Sequence, residues 1–263
     1  MFDNVCKFLA ENYSEDFSQW LLGYKTNLTE LKPTELSLEP IRADSLILLQ
    51  SQNLVLHLEF QTNVDEAMAF RMLDYRLRVY RRYPQKQMKQ VVIYLRKTGS
   101  DLVKQNSFRL EKTLHEFDVV RLWEQPTDLF LNQLGLLPLA VLSQTKDPKI
   151  VLTNVAQTID READKNIKNN LLAVSGILAG LVLNQTTIQQ ILRSDIMRES
   201  VIYQEILREG ELKGELKGRQ QGKSEVALNL LRNQMTVEQV ISLTGLPESL
   251  VKELAQSLVD DGN

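Results

Sequence analysis

The sequence predicts an α/β protein in which a mixed central sheet flanked by helices is followed by an all-helical C-terminal extension. Apolar runs of strand length occur in the first half of the chain, at Ala43–Gln50, Asn53–Asn63, Val91–Arg96 and Phe117–Glu124. Before and between these runs, apolar residues recur at helical spacing, most clearly from Asp65 to Tyr83. From Asp147 onward we find only helical periodicity. This order of elements indicates an α/β core with a helical extension.

Composition narrows the class of protein. The 263 residues are 43% hydrophobic and carry a net charge of −3, so the chain can build a sizeable core and is not basic as a whole. The single cysteine, Cys6, excludes an intramolecular disulfide and suits a reducing compartment. We expect a cytoplasmic protein, because the N-terminus lacks the pattern of a signal peptide. The longest apolar run, Leu171–Leu183, is shorter than the roughly 20 residues that span a bilayer.

The segment Asn53–Asn63 places polar side chains on one face of a strand that otherwise looks buried. Side chains alternate along a strand, so His57, Glu59 and Gln61 share a face opposite the leucines. The turn signal Ser51–Asn53 predicts a hairpin with the preceding run, which brings Asp44 close to Glu59. Two neighbouring carboxylates favour a hard divalent cation such as Mg²⁺. A solvated sheet edge, or a salt bridge to an arginine, accounts for the same pattern without a metal.

The next segment, from Arg71 to Lys97, is strongly basic. It contains nine Lys or Arg and one acidic residue, a local charge of +8. On a helix, Arg71, Tyr75, Arg78 and Arg82 fall on one stripe, and an apolar face lies opposite, formed by Phe70, Leu73, Leu77 and Tyr80. Basic residues directly after an acidic strand favour contact with a polyanion. An ordinary solvated helix face is the alternative.

Asp44, followed after fourteen residues by Glu59-Phe60-Gln61, resembles the D…ExQ variant of the PD-(D/E)XK nuclease signature. More specifically, the chain resembles the Rpn group of recombination-promoting nucleases, which are also named transposases. The resemblance runs over roughly the first 145 residues. Its segments are "FDNVCKFLAENY", "RADSLILL", "LHLEFQT", "FRMLDYRLRVYRRY", "VVIYLR" and "LWEQPTDLFLNQLGLLPLAVL".

The resemblance implies a restriction-endonuclease-like fold and DNA cleavage that depends on Mg²⁺, for which Mn²⁺ can substitute. Asp44 and Glu59 would hold the metal, and Gln61 stands where many relatives carry a lysine. Gln61 can orient a water molecule but supplies no charge, so Arg71 or Arg78 is expected to supply it. Ala43 precedes Asp44 where the pattern has proline.

Accessory residues are less well defined by the sequence. Relatives often add an acidic residue from the first helix, for which Glu11 and Glu15 are both candidates. His57 shares the face of Glu59, and it is either a structural histidine or a proton shuttle over the metal. The stripe Arg71, Tyr75, Arg78 and Arg82 is the predicted DNA-binding surface.

Changes in composition predict four regions along the chain. They are a nuclease-like domain (1–145), a helical extension (146–208), a charged connector (209–223) and a small helical tail (224–263). Four glycines recur in the connector, Gly210, Gly214, Gly218 and Gly222, which indicate either a frayed helical linker or a close-packing helix face.

The tail has the rhythm of a helix-turn-helix around "TGLP". Its second helix contains Glu248, Lys252 and Glu253 but no arginine, which favours packing or homo-oligomerisation over reading DNA. The sequence thus predicts a metal-dependent DNA endonuclease of mobile-DNA recombination or transposition. The alternative is a catalytically degenerate DNA-binding or protein-interaction module on the same fold.

Overall fold

The computed structural model describes residues 2–31, 46–192 and 199–260. The chain divides into two compact units, Met1–Gln204 and Glu205–Asn263. The predicted α/β class is confirmed, because the first unit contains a mixed five-stranded sheet with helices and the C-terminal region is helical. Asp44, the predicted partner of Glu59, lies outside the described residues.

The central sheet has the strand order β1-β2-β3-β4-β7. Its strands are β1 (Thr29–Glu30), β2 (Leu46–Gln50), β3 (Leu54–Gln61), β4 (Gln87–Tyr94) and β7 (Asp118–Arg121). The predicted hairpin is confirmed, since β2 and β3 pair antiparallel with Leu46 opposite Glu59. β4 pairs parallel with both β3 and β7. A parallel pair needs a crossover, and helix α3 (Met68–Arg82) supplies it between β3 and β4.

Both faces of β3 are covered. Helices α1 (Phe2–Asn12) and α2 (Ser14–Leu22) precede the sheet, and the Phe17 ring of α2 stands edge-on to Phe60, with centroids 6.2 Å apart. On the other face, the Tyr75 ring of α3 stands edge-on to His57 at 5.1 Å. The even-numbered apolar residues of β3 therefore face the first two helices. His57 and Glu59 face α3, which places the polar side of the strand under a helix.

The face that α3 presents to the sheet differs from the prediction. Its buried residues are Met68, Ala69, Met72, Tyr75 and Val79. The predicted stripe is therefore wrong at Tyr75, which is only 5% exposed and belongs to the core. Three residues of the predicted opposing apolar face point outward, with Phe70 and Tyr80 each 55% and Leu77 52% exposed. The periodicity located the helix correctly, but the helix turns this buried set, and not Phe70, Leu77 and Tyr80, toward the sheet.

A second hairpin beside α3 was missed. It consists of β5 (Ser107–Leu110) and β6 (Thr113–Glu116), which pair antiparallel as a separate two-stranded sheet. The segment mixes charged and apolar residues without a clean alternation, so its strand signal is weak. The Phe108 ring lies 5.6 Å from that of Phe70, so this hairpin packs against the outer side of α3.

The rest of the first unit is helical. It contains α4 (Asp128–Leu131), α5 (Pro148–Ile159), α6 (Lys165–Ala179) and α7 (Gln185–Ile191), with 3₁₀ turns at Asp101–Lys104, Leu122–Glu124 and Leu137–Leu142. Asp147 and Asp164 cap α5 and α6 by accepting backbone N–H groups of the first turn. The predicted strand at Phe117–Glu124 is shorter than expected, because Leu122–Glu124 already turns into a 3₁₀ helix.

The C-terminal region contains α8 (Val201–Arg232), α9 (Val237–Thr244) and α10 (Glu248–Asp260). The end of α8 packs with α9 and α10 around Ala227, Val240 and Val251. Gly245 ends α9 with φ of +63°, a conformation that favours glycine. None of the helices in the described ranges is long and apolar enough to cross a bilayer.

Candidate active site

Glu59 is a fully buried carboxylate near the end of the central strand β3. Arg71 of α3 lies over it, with Nη2 3.0 Å from Oε2 and 3.1 Å from Oε1. The Nε2 amide of Gln61 donates to Oε2 over 3.3 Å. A buried carboxylate without such partners would be strongly destabilising. Arg71 and Gln61 thus satisfy Glu59 electrostatically and by hydrogen bonding.

Arg71 is itself held from both sides. Its Nη1 lies 2.9 Å from Oδ2 of Asp65, whose other oxygen accepts the backbone N–H of Ala67 just before α3. Burial lowers the pKa of Arg71, but the charge of Glu59 and the hydrogen bond to Asp65 outweigh burial and raise it. The guanidinium therefore stays charged and links the start of α3 to the carboxylate of β3. Sequence reasoning missed Asp65, although an acidic residue at the start of a helix is a recognised signal.

His57 and Gln90 extend the polar network into the sheet. Both are buried, and Nε2 of Gln90 lies 2.7 Å from the carbonyl oxygen of Met72 and 2.9 Å from Nδ1 of His57. A carbonyl can only accept, so the amide group of Gln90 donates to it, and its second N–H is available for Nδ1 of His57. This assigns the ring proton of His57 to Nε2, which lies 3.5 Å from Oε1 of Glu59. Among the described residues, Nε2 has no hydrogen-bond partner.

The predicted DNA-binding stripe separates into different environments. Arg71 forms an ion pair with Glu59, and Tyr75 is buried beside His57. Burial raises the pKa of the Tyr75 hydroxyl, and the charge of Glu59 raises it further. Arg78 pairs with Asp74 over 2.9 Å, whereas Arg82 is exposed, with its guanidinium 5.8 Å from the centre of the Tyr83 ring. Of the two arginines proposed to replace a lysine at Gln61, Arg71 is the one that touches the Glu59 carboxylate.

The two acidic candidates of the first helices lie in different settings. Glu11 of α1 is 3.4 Å from Lys7, and burial raises its pKa despite that cation. Glu15 of α2 is exposed. The contact of Glu11 with Lys7 does not involve Glu59, and the exposure of Glu15 does not place it in the site. The accessory role of both residues therefore stays a prediction.

The donor set fits a divalent ion only in part. Within residues 2–31, 46–192 and 199–260, no cluster of three or more acidic, histidine or cysteine side chains can hold a metal. Mg²⁺ usually takes one or two protein carboxylates and keeps several waters, so Glu59 with one further carboxylate would suffice. Both oxygens of Glu59 face Arg71, and a metal would have to share or displace that contact. Glu59 can therefore act as a metal ligand, and Arg71 is the cation that faces it when no metal is bound.

A cleft of about 740 Å³ lies along β7, away from Glu59. It is lined by residues of α2, β4, β7 and the segments around them, among them Trp20, Val120, Lys104 and Arg121. Both cations have partners of their own, since Lys104 pairs with Asp101 and Arg121 with Glu124. No pattern in the sequence indicated this cleft, because its residues come from segments far apart in the chain.

Comparison of the chain with family models, with curated proteins and with solved structures finds no match.

Proposed function

We propose that this chain is a divalent-metal-dependent DNA endonuclease with a restriction-endonuclease-like core that acts on mobile DNA in recombination or transposition. The observation that carries the proposal is a buried Glu59 at the end of β3, contacted by Gln61 and by Arg71 of the following basic helix. The strand, turn, strand and basic helix of this region are the elements on which the D…ExQ resemblance depends. Asp44 is only two residues before Leu46 in the sequence, and Leu46 pairs with Glu59.

Each residue of the site has a defined part in this function. Glu59 and Asp44 would hold Mg²⁺ or Mn²⁺, which when bound polarises a phosphodiester and activates water. Gln61, with one carbonyl oxygen and two N–H groups, orients a water molecule by hydrogen bonding. Arg71 contributes the positive charge that Gln61 lacks, and Asp65 keeps its guanidinium in place.

Supercoiled plasmid incubated with the protein and Mg²⁺ or Mn²⁺ tests this proposal. We expect nicked and linear products that disappear in EDTA and in the Glu59→Gln protein. Glu66→Gln is the matched control, because Glu66 is an exposed carboxylate close in sequence and its loss should leave cleavage unchanged. A thermal unfolding transition of Glu59→Gln shows whether a loss of cleavage reflects a loss of folding.

One observation favours a second function, a DNA-binding module that no longer cleaves. Arg71 contacts both oxygens of Glu59 and so neutralises the carboxylate without a metal. Plasmid that is shifted equally well in EDTA and in Mg²⁺, and never nicked, would assign this function to the chain and exclude the endonuclease.

A further inference from the structure

We propose that the outward face of α3 binds single-stranded nucleic acid, through exposed aromatic rings with arginine at the C-terminal end of the helix. This inference rests on the proposed function, and it adds a substrate class: DNA that is unpaired next to the cleavage site. The face is defined as Phe70, Leu73, Leu77, Tyr80 and Arg81, and we call it the aromatic face.

The exposure of these side chains is the first step. Phe70 and Tyr80 are each 55% exposed and Leu77 is 52% exposed, although α3 buries other residues against the sheet. Large apolar groups that project together from one helix face mark a binding surface more often than single exposed residues do. The Phe108 ring, 5.6 Å from Phe70, supports this ring from the side of the β5–β6 hairpin. Phe70 is thus backed by a neighbouring ring while remaining open to solvent.

Charge selects the kind of partner. Arg81 and Arg82 are exposed on the last turn of α3, within the segment from Arg71 to Lys97 that carries a net +8. A symmetric dimer through this face would bring together two copies of this positively charged segment, which is electrostatically unfavourable. A second copy of this chain therefore fits poorly, and an anionic partner fits well.

Aromatic rings select among anionic partners. In a duplex the bases are stacked on each other, so rings on a helix face cannot stack on them and would contact only the backbone or the base edges in a groove. In a single strand every base offers a face on which Phe70 and Tyr80 can stack, while arginines hold the backbone. The two rings are ten residues apart on α3, about 15 Å along the helix. Two rings at this spacing on the aromatic face suit a nucleic-acid strand that lies along the helix.

The aromatic face begins next to the candidate active site. Phe70 directly precedes Arg71, whose guanidinium contacts Glu59. The aromatic face therefore begins at the end of α3 that bears the candidate active site and runs away from it. A strand leaving the site in unpaired form would meet Phe70 first and Tyr80 later.

Fluorescence anisotropy in EDTA, where cleavage does not occur, tests the inference with three labelled probes. They are oligo-dT, a duplex of matched length and a poly-glutamate peptide. We expect oligo-dT to bind more tightly than the duplex, and the double variant Phe70→Ala/Tyr80→Ala to weaken oligo-dT binding at least about fivefold, the lower limit for loss of one stacked base. Duplex binding should change little in this variant.

Matched variants separate ring stacking from general apolar contact. Tyr24→Ala is the control, since Tyr24 is also 55% exposed but lies outside α3, and it should leave oligo-dT binding unchanged. Tyr80→Phe should retain binding, because the ring is kept, whereas Phe70→Leu should lose it although apolar area remains. Full retention in Phe70→Leu would overturn the stacking argument.

The outcomes also separate this inference from the proposed function. Failure of plasmid cleavage with tight, ring-dependent oligo-dT binding rejects the endonuclease and keeps the aromatic face as a single-strand site. Cleavage together with equal affinity for oligo-dT and duplex, or with no effect of the double variant, overturns the inference alone. Ring-dependent binding of poly-glutamate in preference to oligo-dT assigns the face to an acidic protein partner and also overturns it.

Discussion

Nη2 of Arg71 lies within 3.1 Å of both carboxylate oxygens of Glu59, so one cation neutralises a fully buried anion. From the sequence, Glu59 was expected to hold the metal. Arg71 was expected to contact DNA and, as one of two candidates, to supply the charge that Gln61 lacks. The structure brings them together, which makes the charge state of the site depend on whether Arg71 or another cation faces Glu59.

This ion pair predicts a large and non-additive effect on stability. Arg71→Met leaves the carboxylate of Glu59 buried without its cation, and we expect a loss of about 3 kcal/mol in the free energy of unfolding. This is the low end for breaking a buried pair, because the Arg71 side chain is 26% exposed. Glu59→Gln should cost less, since Arg71 keeps Asp65. Urea unfolding of the two single variants and the double variant should show a double-variant loss smaller than the sum.

The same pair predicts how Mg²⁺ changes stability. If the metal and Arg71 compete for Glu59, Mg²⁺ should raise the unfolding temperature of Arg71→Met more than that of wild type. Arg82→Met is the matched control, because Arg82 is an exposed arginine of the same helix. An equal Mg²⁺ response in all three proteins would mean that Mg²⁺ and Arg71 do not compete for Glu59.

Gln90 is predicted to fix the tautomer of His57. Gln90→Leu removes the donors to the Met72 carbonyl and to Nδ1 of His57, and leaves a buried ring nitrogen without a partner. We expect a loss of about 1–3 kcal/mol in the free energy of unfolding. Nitrogen NMR of the ring should show a proton on Nε2 in wild type and a mixture of tautomers in Gln90→Leu. Gln87→Leu, an exposed position on the same strand, should change neither measurement.

The sequence predicted the elements of the fold better than their orientation. Alternating apolar residues located β3, and the turn signal located its hairpin with β2, because both signals are local. The direction in which α3 faces could not be predicted in the same way. Phe70, Leu77 and Tyr80 form an apolar stripe, as do the buried Met72 and Tyr75, and only packing against the sheet decides between the two sides.

The candidate site was likewise predictable in its individual residues but not in the contacts between elements. Glu59, Gln61 and Arg71 were named from spacing and resemblance, and the structure places them in contact. Gln90 and Asp65 were missed, because their contacts with His57 and Arg71 cross between elements. A polar residue in a buried strand, such as Gln90, is a signal that could have pointed to this network.

The four glycines of α8 predict a gain in stability on substitution. A Cβ atom at Gly210, Gly214, Gly218 or Gly222 meets no atom within 4 Å among the described residues, so the structure gives no support to a close-packed helix face there. Gly214→Ala and Gly218→Ala should each raise helix stability by up to about 1 kcal/mol, measured by thermal melting of the full chain with circular dichroism. Gly135→Ala should have the opposite effect, because its Cβ would collide with the Tyr13 side chain. A loss of stability or a change in oligomeric state in Gly214→Ala would contradict the open environment.

The remaining prediction concerns pH and His115 of the β5–β6 hairpin. Burial lowers the pKa of this ring, and the charge of Arg76 lowers it further. The folded chain therefore binds the proton less readily than the unfolded chain, whose histidine titrates near pH 6.5. As the pH falls below about 6.5, the unfolded state takes up the proton first, so this residue makes the free energy of unfolding decrease. Urea unfolding at about pH 8 and about pH 5.5 should show a smaller decrease in His115→Gln than in wild type. An equal decrease in both proteins would show that His115 is not the group responsible.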